Sequence, residues 1–201
     1  MNIVIINYGA GNIQSIKFAI ERLGYTAILS DDENVIRKAD KVIFPGVGEA
    51  SSAMKKLRET GLDKVIPTLK QPVLGICLGM QLMCNTSTEG DTIGLGIFDV
   101  EVIRFRESGS RKTFANVKVP QIQWNTIGNL VSPLFNGIAE DSFIYMVHSF
   151  YAPVVKETIA TTNYDVDYSA ALAKANFYGT QFHPEKSSDV GEQILKNFIE
   201  L

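Results

Sequence analysis

Cysteine and histidine are scarce in this 201-residue chain, with two of each. Cys77 and Cys84 lie seven positions apart in what reads as one turn and helix. That separation is awkward for a disulfide and far too sparse for a stapled secreted scaffold, so a reducing, cytoplasmic setting is expected. Basic runs are missing too: 19 Lys and Arg against 22 Asp and Glu leave a net charge of -3. This gives no electrostatic footprint for nucleic acid or for an anionic membrane, and small polar metabolites or another protein become the expected partners. Long apolar runs are absent as well. The opening "MNIVIINYGAGN" carries no basic leader and its apolar run is short, so it reads as a first strand rather than a signal peptide or membrane span. No internal repeat and no linker interrupts the chain. With 45% hydrophobic and 20% charged residues, it reads as a single domain over 1–201, large enough to bury roughly 70% of its unfolded surface.

What is present is a strand and helix alternation. After the first strand, Ile13, Ile16, Ile20 and Leu23 recur at helical spacing before Gly24. The pattern repeats as "TAIL" with a helix near Glu33 to Lys38, "KVIF" with a helix over Ala50 to Thr60, and "PVLGI" with a helix from Gly79. Short strands without strict alternation, separated by helices, predict a mostly parallel α/β sheet covered on both faces, of flavodoxin-like kind. Beyond about residue 97 the segments "DVEVIRF", "FIYMVHSFY", "TIATTNY", "SAALAKA" and "FYGTQF" predict a β-rich second half with hairpin-like turns. A last helix is expected from Ser188 or Asp189. Asp189 and Glu192 stand at capping-box spacing, and Val190, Ile194, Phe198 and Leu201 form its apolar stripe. The polar stretch "RESGSRKTF" at 106 to 114 reads as an exposed loop, with partner docking as the second option.

Three stretches carry chemistry. In "GICLG" Cys77 occupies the centre of a nucleophile elbow, where a sharp strand-to-helix turn strains the central residue and flanking glycines remove clashing side chains. The following helix favours thiolate over thiol, and the Leu78 N–H lies where an oxyanion donor belongs. A small buried cysteine ending a strand fits the pentapeptide equally well. The thiol needs a base, and the chain offers only His148 in "MVHSF" and His183 in "QFHPEKS". Pro184 biases His183 toward extended geometry, in which His183 and Glu185 project to one side, so the carboxylate can orient the imidazole. The plainer alternative is a strand-ending turn with a solvated glutamate. In "FPGVGEAS", at the carboxyl edge after the third strand, Gly46 and Gly48 let main-chain N–H groups approach a ligand, placing the second oxyanion donor at Gly46 or Val47. An ordinary glycine turn is the alternative there.

Other features point less far. "YGAGNI" invites a dinucleotide-loop reading, but Gln14 stands where a third glycine belongs, and Asp31 and Asp32 only come close to the ribose-binding acid, so no such cofactor is expected. Met80, Leu82 and Met83 read as core. Gln81, a primary amide near the elbow, is suited to pair with another amide or with an α-amino acid head group. As a helical polar residue it could equally be half-exposed.

Together "PGVG", "GICLGMQ" and "HPEKS" resemble the class I glutamine amidotransferases, in that family's order and over essentially the whole chain. Within the family, "NYGAGNIQSI" and "HPEKS" look most like the glutaminase subunits of imidazole glycerol phosphate synthases. The resemblance implies Cys77 as nucleophile, His183 as base and then acid, Glu185 as orienter, and Val47 and Leu78 as oxyanion donors. Gly46, Gln81, His148, Ser149 and Phe150 would surround the substrate, L-glutamine. It implies no metal or organic cofactor. It implies a heterodimer in which a (β/α)8-barrel cyclase subunit receives the ammonia, and a glutaminase nearly idle until that cyclase is occupied. Related small amidotransferases of pyridoxal phosphate or anthranilate synthesis share the elbow, and a non-catalytic relative would share the fold. One stretch departs: where the family reads Pro-His-x-Gly-Trp-Asn, this chain has "PQIQWN", with Gln121 and Gln123 at the His and Gly positions, which bears on the packing around Trp124 and Asn125.

Overall fold

The computed structural model describes residues 1–9, 11–105 and 118–201; the 106 to 114 loop expectation falls outside them. In chain order the elements are β1 (Ile3–Ile6), α1 (Ile13–Arg22), β2 (Ala27–Ser30), α2 (Glu33–Arg37), β3 (Lys41–Gly46), α3 (Ala50–Thr60), α4 (Leu62–Val65), β4 (Val73–Cys77) and α5 (Leu78–Leu82). There follow β5 (Cys84–Ser87), β6 (Thr92–Ile93), β7 (Phe98–Arg104), β8 (Gln121–Ile127), β9 (Ser142–His148), β10 (Phe150–Tyr151), β11 (Thr158–Tyr164), β12 (Val166–Lys174), β13 (Phe177–Thr180) and α6 (Ser188–Glu200). No described helix is long and apolar enough to cross a membrane.

Seven strands form the main sheet in the order β11-β12-β13-β4-β3-β1-β2. From β2 to β13 the strands are parallel, in the 2-1-3-4-5 order of flavodoxin-like sheets, and β12 and β11 extend the sheet antiparallel. Alternate residues of the inner strands feed two cores. Val4, Ile6, Val42 and Phe44 meet α3, α4 and α5 on one face, while Ile3, Ile5, Ile43 and Leu74 meet α1 and α6 on the other. This is why the inner strands read as continuous apolar runs. The expectation of burial on both sides fails at β2, where Ile28 and Leu29 are exposed, because β2 is the outermost strand.

Several boundaries differ from the sequence reading. The helix after Cys77 ends at Leu82, and Cys84 begins β5 instead of continuing it. "FIYMVHSFY" is two strands that part at Ser149: β9 pairs with β8, and β10 pairs with β7 in a four-stranded sheet. The capping box of α6 does not form. The cap residue is Ser187, without a side-chain cap bond, and Glu192 instead pairs with Arg22 of α1. Ile194 and Phe198 are buried as expected, but Leu201 is exposed and Leu195 and Ile199 take its place in the core.

Candidate active site

β4 runs straight into α5, so the whole turn falls on Cys77, which sits at φ 53°, ψ -111°. An L-residue in that region stores about 1–3 kcal/mol of strain, held by the surrounding packing. The packing leaves no room for side chains at the flanking glycines. A Cβ at Gly79 would lie 2.0 Å from the Phe44 carbonyl oxygen, and one at Gly75 would lie 2.8 Å from the Met80 nitrogen. Glycine at both positions lets α5 sit against β3 and β4 while the cysteine turns up at the sheet's edge.

Register brings the other motifs to that point. Gly46 pairs with Cys77 across β3 and β4, and Thr180 pairs with Ile76 across β4 and β13. The segments leaving all three strands, Val47–Gly48, Leu78 and Gln181–His183, therefore emerge side by side. They open into a cleft of about 370 Å³ lined by Cys77, His183, Val47, Gln81, Glu89 and Lys186, and also by the 147–150 segment. Leu78 is the first residue of α5, so its N–H has no partner within the helix. Val47 is 42% exposed and Gly48 adopts φ 97°.

His183 and Glu185 do meet, by a different route from the extended one expected. Residues 184–186 form a 3-10 turn with His183 at its cap. His183 Nδ1 lies 2.7 Å from Glu185 Oε1, both side chains buried. Since a carboxylate only accepts, Nδ1 carries the proton, and the other ring nitrogen is left for the cleft that His183 and Cys77 both line. Burial alone would lower the His183 pKa, but the bonds to Cys77 and Glu185 outweigh it and hold it up at about 10. The backbone is pinned as well: His183 N–H donates to Tyr145 O at 3.2 Å and Ser187 Oγ donates to His183 O at 2.7 Å.

His148, the second candidate base, stands in a different role. Burial pushes its pKa down to about 4, against the opposing bond to Phe150 O, so the ring is neutral. Nδ1 donates to Phe150 O at 2.8 Å, which makes Nε2 an acceptor; the Tyr168 hydroxyl at 3.1 Å must donate to it. Tyr168 Oη is then free to accept from the fully buried Gln121 amide 2.8 Å away. This orientation turns an N–H of Gln121 toward Tyr168. The departure at position 121 therefore lies beneath the site, bonded to a residue that braces the 148–150 segment.

Sequence reasoning missed two residues. Glu89 lines the cleft and accepts from Ala50 N–H, at the start of α3, at 2.9 Å; its pKa is raised, chiefly by burial and further by the nearby Glu49 charge, against the opposing effects of that bond and of Arg104. Gln181 is fully buried between Gln81 and Cys77. Neither carries a motif signature, although Gln181 stands two residues before His183, on the strand exit that delivers it. Gln81 pairs with an amide, as one of its two expected options had it. Tyr8, Gly9 and Gly11 brace the neighbouring loop: Tyr8 Oη donates to Pro45 O at 2.9 Å, Lys56 Nζ donates to Gly9 O at 2.7 Å, and Gly11 packs on Pro45.

A cysteine elbow on a mostly parallel sheet, met by a histidine and glutamate from a later strand, defines a thiol-dependent acyl-transfer class. The family described as glutamine amidotransferase class-I matches residues 4–201, and the chain belongs to it. The "Imidazole glycerol phosphate synthase subunit HisH" of Bacteroides fragilis is 54% identical over 201 residues, covering 100% of both chains. The protein of the same name from Haemophilus influenzae is 45% identical, covering 100% of this chain and 98% of that one. Among solved structures, one described as a glutamine amidotransferase superposes with a TM-score of 0.74 at 18% identity, covering 98% of this chain and 97% of that one. PurLQS from Thermotoga maritima gives 0.70 at 16%, covering 99% and 97%. These likenesses show the shared fold.

Proposed function

We propose that this chain is the glutamine-hydrolysing subunit of an imidazole glycerol phosphate synthase, acting in histidine biosynthesis in the cytoplasm. The observation that carries the reading is the meeting of Cys77, His183 and Glu185 at one cleft, in a chain alike over its full length to HisH subunits. The Cys77 thiolate attacks the side-chain carbonyl of L-glutamine, and the oxyanion is received by the N–H groups of Val47 and Leu78. Each such donor is worth about 3 kcal/mol in the transition state. The His183 imidazolium protonates the leaving ammonia, then as base draws a proton from the water that opens the γ-glutamyl thioester; Glu185 keeps its tautomer. Such acid–base assistance contributes roughly 10²–10⁴-fold. Gly46, Gln81, His148, Ser149 and Phe150 form the walls around the substrate, and the Glu89 carboxylate is the group suited to its α-ammonium.

The partner is a cyclase subunit, proposed to be a (β/α)8 barrel in a heterodimer. The surface that favours it is the outer face of the β8–β9 pair. There Ile122 and Trp124 stand opposite Val147 and Tyr145, with Phe143 two residues on, and Ile122, Trp124 and Phe143 are each about half exposed or more. The face adjoins the cleft through Val147 and Lys186. Glutamine hydrolysis is to be assayed with and without the cyclase and its ligand. The expected result is low activity alone, a rise in the complex, and none with Cys77→Ala. Full activity of the isolated chain counts against a gated subunit, and none in the complex counts against the enzyme.

A further inference from the structure

The sulfur of Cys77 has a neighbour that the acid–base pair and the oxyanion donors do not include. Gln181 Nε2 lies 3.7 Å from Cys77 Sγ with an N–H directed at it. The residue directly follows β13, is fully buried, and its own backbone N–H donates to Ala170 O at 2.8 Å. Which end of a carboxamide faces a given atom is normally open; here it is forced. The Phe150 carbonyl can only accept, so Gln81 must turn its NH2 toward it, at 2.8 Å. The second hydrogen of that NH2 then points at Gln181, which must present Oε1, at 2.9 Å. This leaves the Gln181 NH2 facing the sulfur. Phe150 O is itself held from its other side by the Nδ1–H of His148.

We propose that Gln181 is a further functional residue of the site: a buried amide donor, aimed by Gln81 and the Phe150 carbonyl, that holds the Cys77 sulfur as a thiolate. The inference rests on Cys77 being the nucleophile. An N–H donating to an anion is roughly twice as strong as one donating to a neutral acceptor, so it favours the ionised form. Burial away from water strengthens the bond, and Gln81 polarises Gln181 in the direction that makes its N–H more positive. The thiolate is thereby supported on the side of β13 as well as by His183. The carboxamide takes no part in proton transfer, so it supports the thiolate before attack and again when the thioester opens and the sulfur regains its charge.

The test reads the pH dependence of Cys77 alkylation by iodoacetamide in the full chain, with buried Cys84 as the slow internal reference. Gln181→Met keeps the volume and removes the donor. Its profile is expected to move up by about one pH unit, roughly tenfold slower alkylation near neutral pH. Gln81→Met, which never touches the sulfur but frees Gln181 to turn, is expected to shift it less in the same direction. A folded Gln181→Met chain with an unchanged profile overturns the proposal. In the unsubstituted chain with 15N-labelled glutamine side chains, the Gln181 amide protons are expected to titrate together with alkylation; a flat response overturns it without any variant. Glutamine hydrolysis is measured in parallel with the cyclase. Shifted alkylation without hydrolysis keeps Gln181's role and sinks the proposed function, and hydrolysis with unshifted alkylation does the opposite.

Discussion

At the scale of single residues, the site separates its two histidines by their surroundings. His183 keeps a carboxylate and a sulfur as partners and stays protonated far above the ordinary range, whereas His148 has only a carbonyl and a hydroxyl and stays neutral. The second case has a stability consequence. The His148 pKa in the folded chain, about 4, lies below the 6.5 of an unfolded histidine, so the unfolded chain binds more protons between these values. The full contribution is present above pH 6.5 and is lost as pH falls toward 4, at about 1.4 kcal/mol per pH unit. Urea unfolding from pH 7 to 4.5 is expected to show a shallower loss in His148→Gln than in the parent chain; equal slopes would mean the ring is not neutral. For the chemistry, Glu185→Gln is expected to lower kcat in the cyclase complex by roughly 10²–10⁴-fold, less than Cys77→Ala, because it misorients the base without removing it. Equal, complete loss of thioester formation in both would contradict those roles.

The elbow is where elements impose their needs on residues. α5 can approach β3 only because position 79 has no side chain, since a Cβ there would overlap the Phe44 carbonyl. Backbone cannot swing aside as a flexible side chain does. Gly79→Ala is therefore expected to cost about 1–3 kcal/mol of stability, read as a lower unfolding midpoint, and to slow Cys77 alkylation as the turn relaxes. By contrast, a methyl at Gly48 meets nothing within 4 Å but must adopt φ 97°. Gly48→Ala is expected to fold with a modest loss of stability, while kcat falls more than KM changes, because the strain at φ 97° shifts the loop that carries the Val47 N–H. A rise in KM alone would move that loop from transition-state to ground-state contact.

For the whole molecule, the unusual feature is the apolar outer face of β8–β9 beside the cleft. Its inner face supplies Gln121, Ile144, Met146 and His148 to the interior, so the pair of strands is buried on one side only. Trp124 stacks edge-on with Tyr145, over whose ring Lys186 lies 5.9 Å away, linking this face to the turn that holds His183. Trp124→Ala is expected to weaken cyclase binding at least tenfold, measured by calorimetric titration, while leaving the unfolding midpoint within a degree or two. Unchanged affinity would place the partner elsewhere.

The parallel sheet, its helices and the three motifs were legible because each depends on local pattern: apolar runs bounded by glycine, helical spacing, and the small residues a strained turn requires. The same locality explains the errors. Whether β2 is an edge, whether Glu192 caps its helix or pairs with Arg22, and whether residues 143–151 make one strand or two depend on neighbours distant in sequence. Glu89 and Gln181 escaped notice for the same reason, since a buried amide takes its meaning from what it faces. The chain by itself determined which residues could do the chemistry. Tertiary structure alone decided their protonation and orientation, because register places Gly46 beside Cys77 and Thr180 beside Ile76, and only that convergence fixes burial, charge and hydrogen-bond direction.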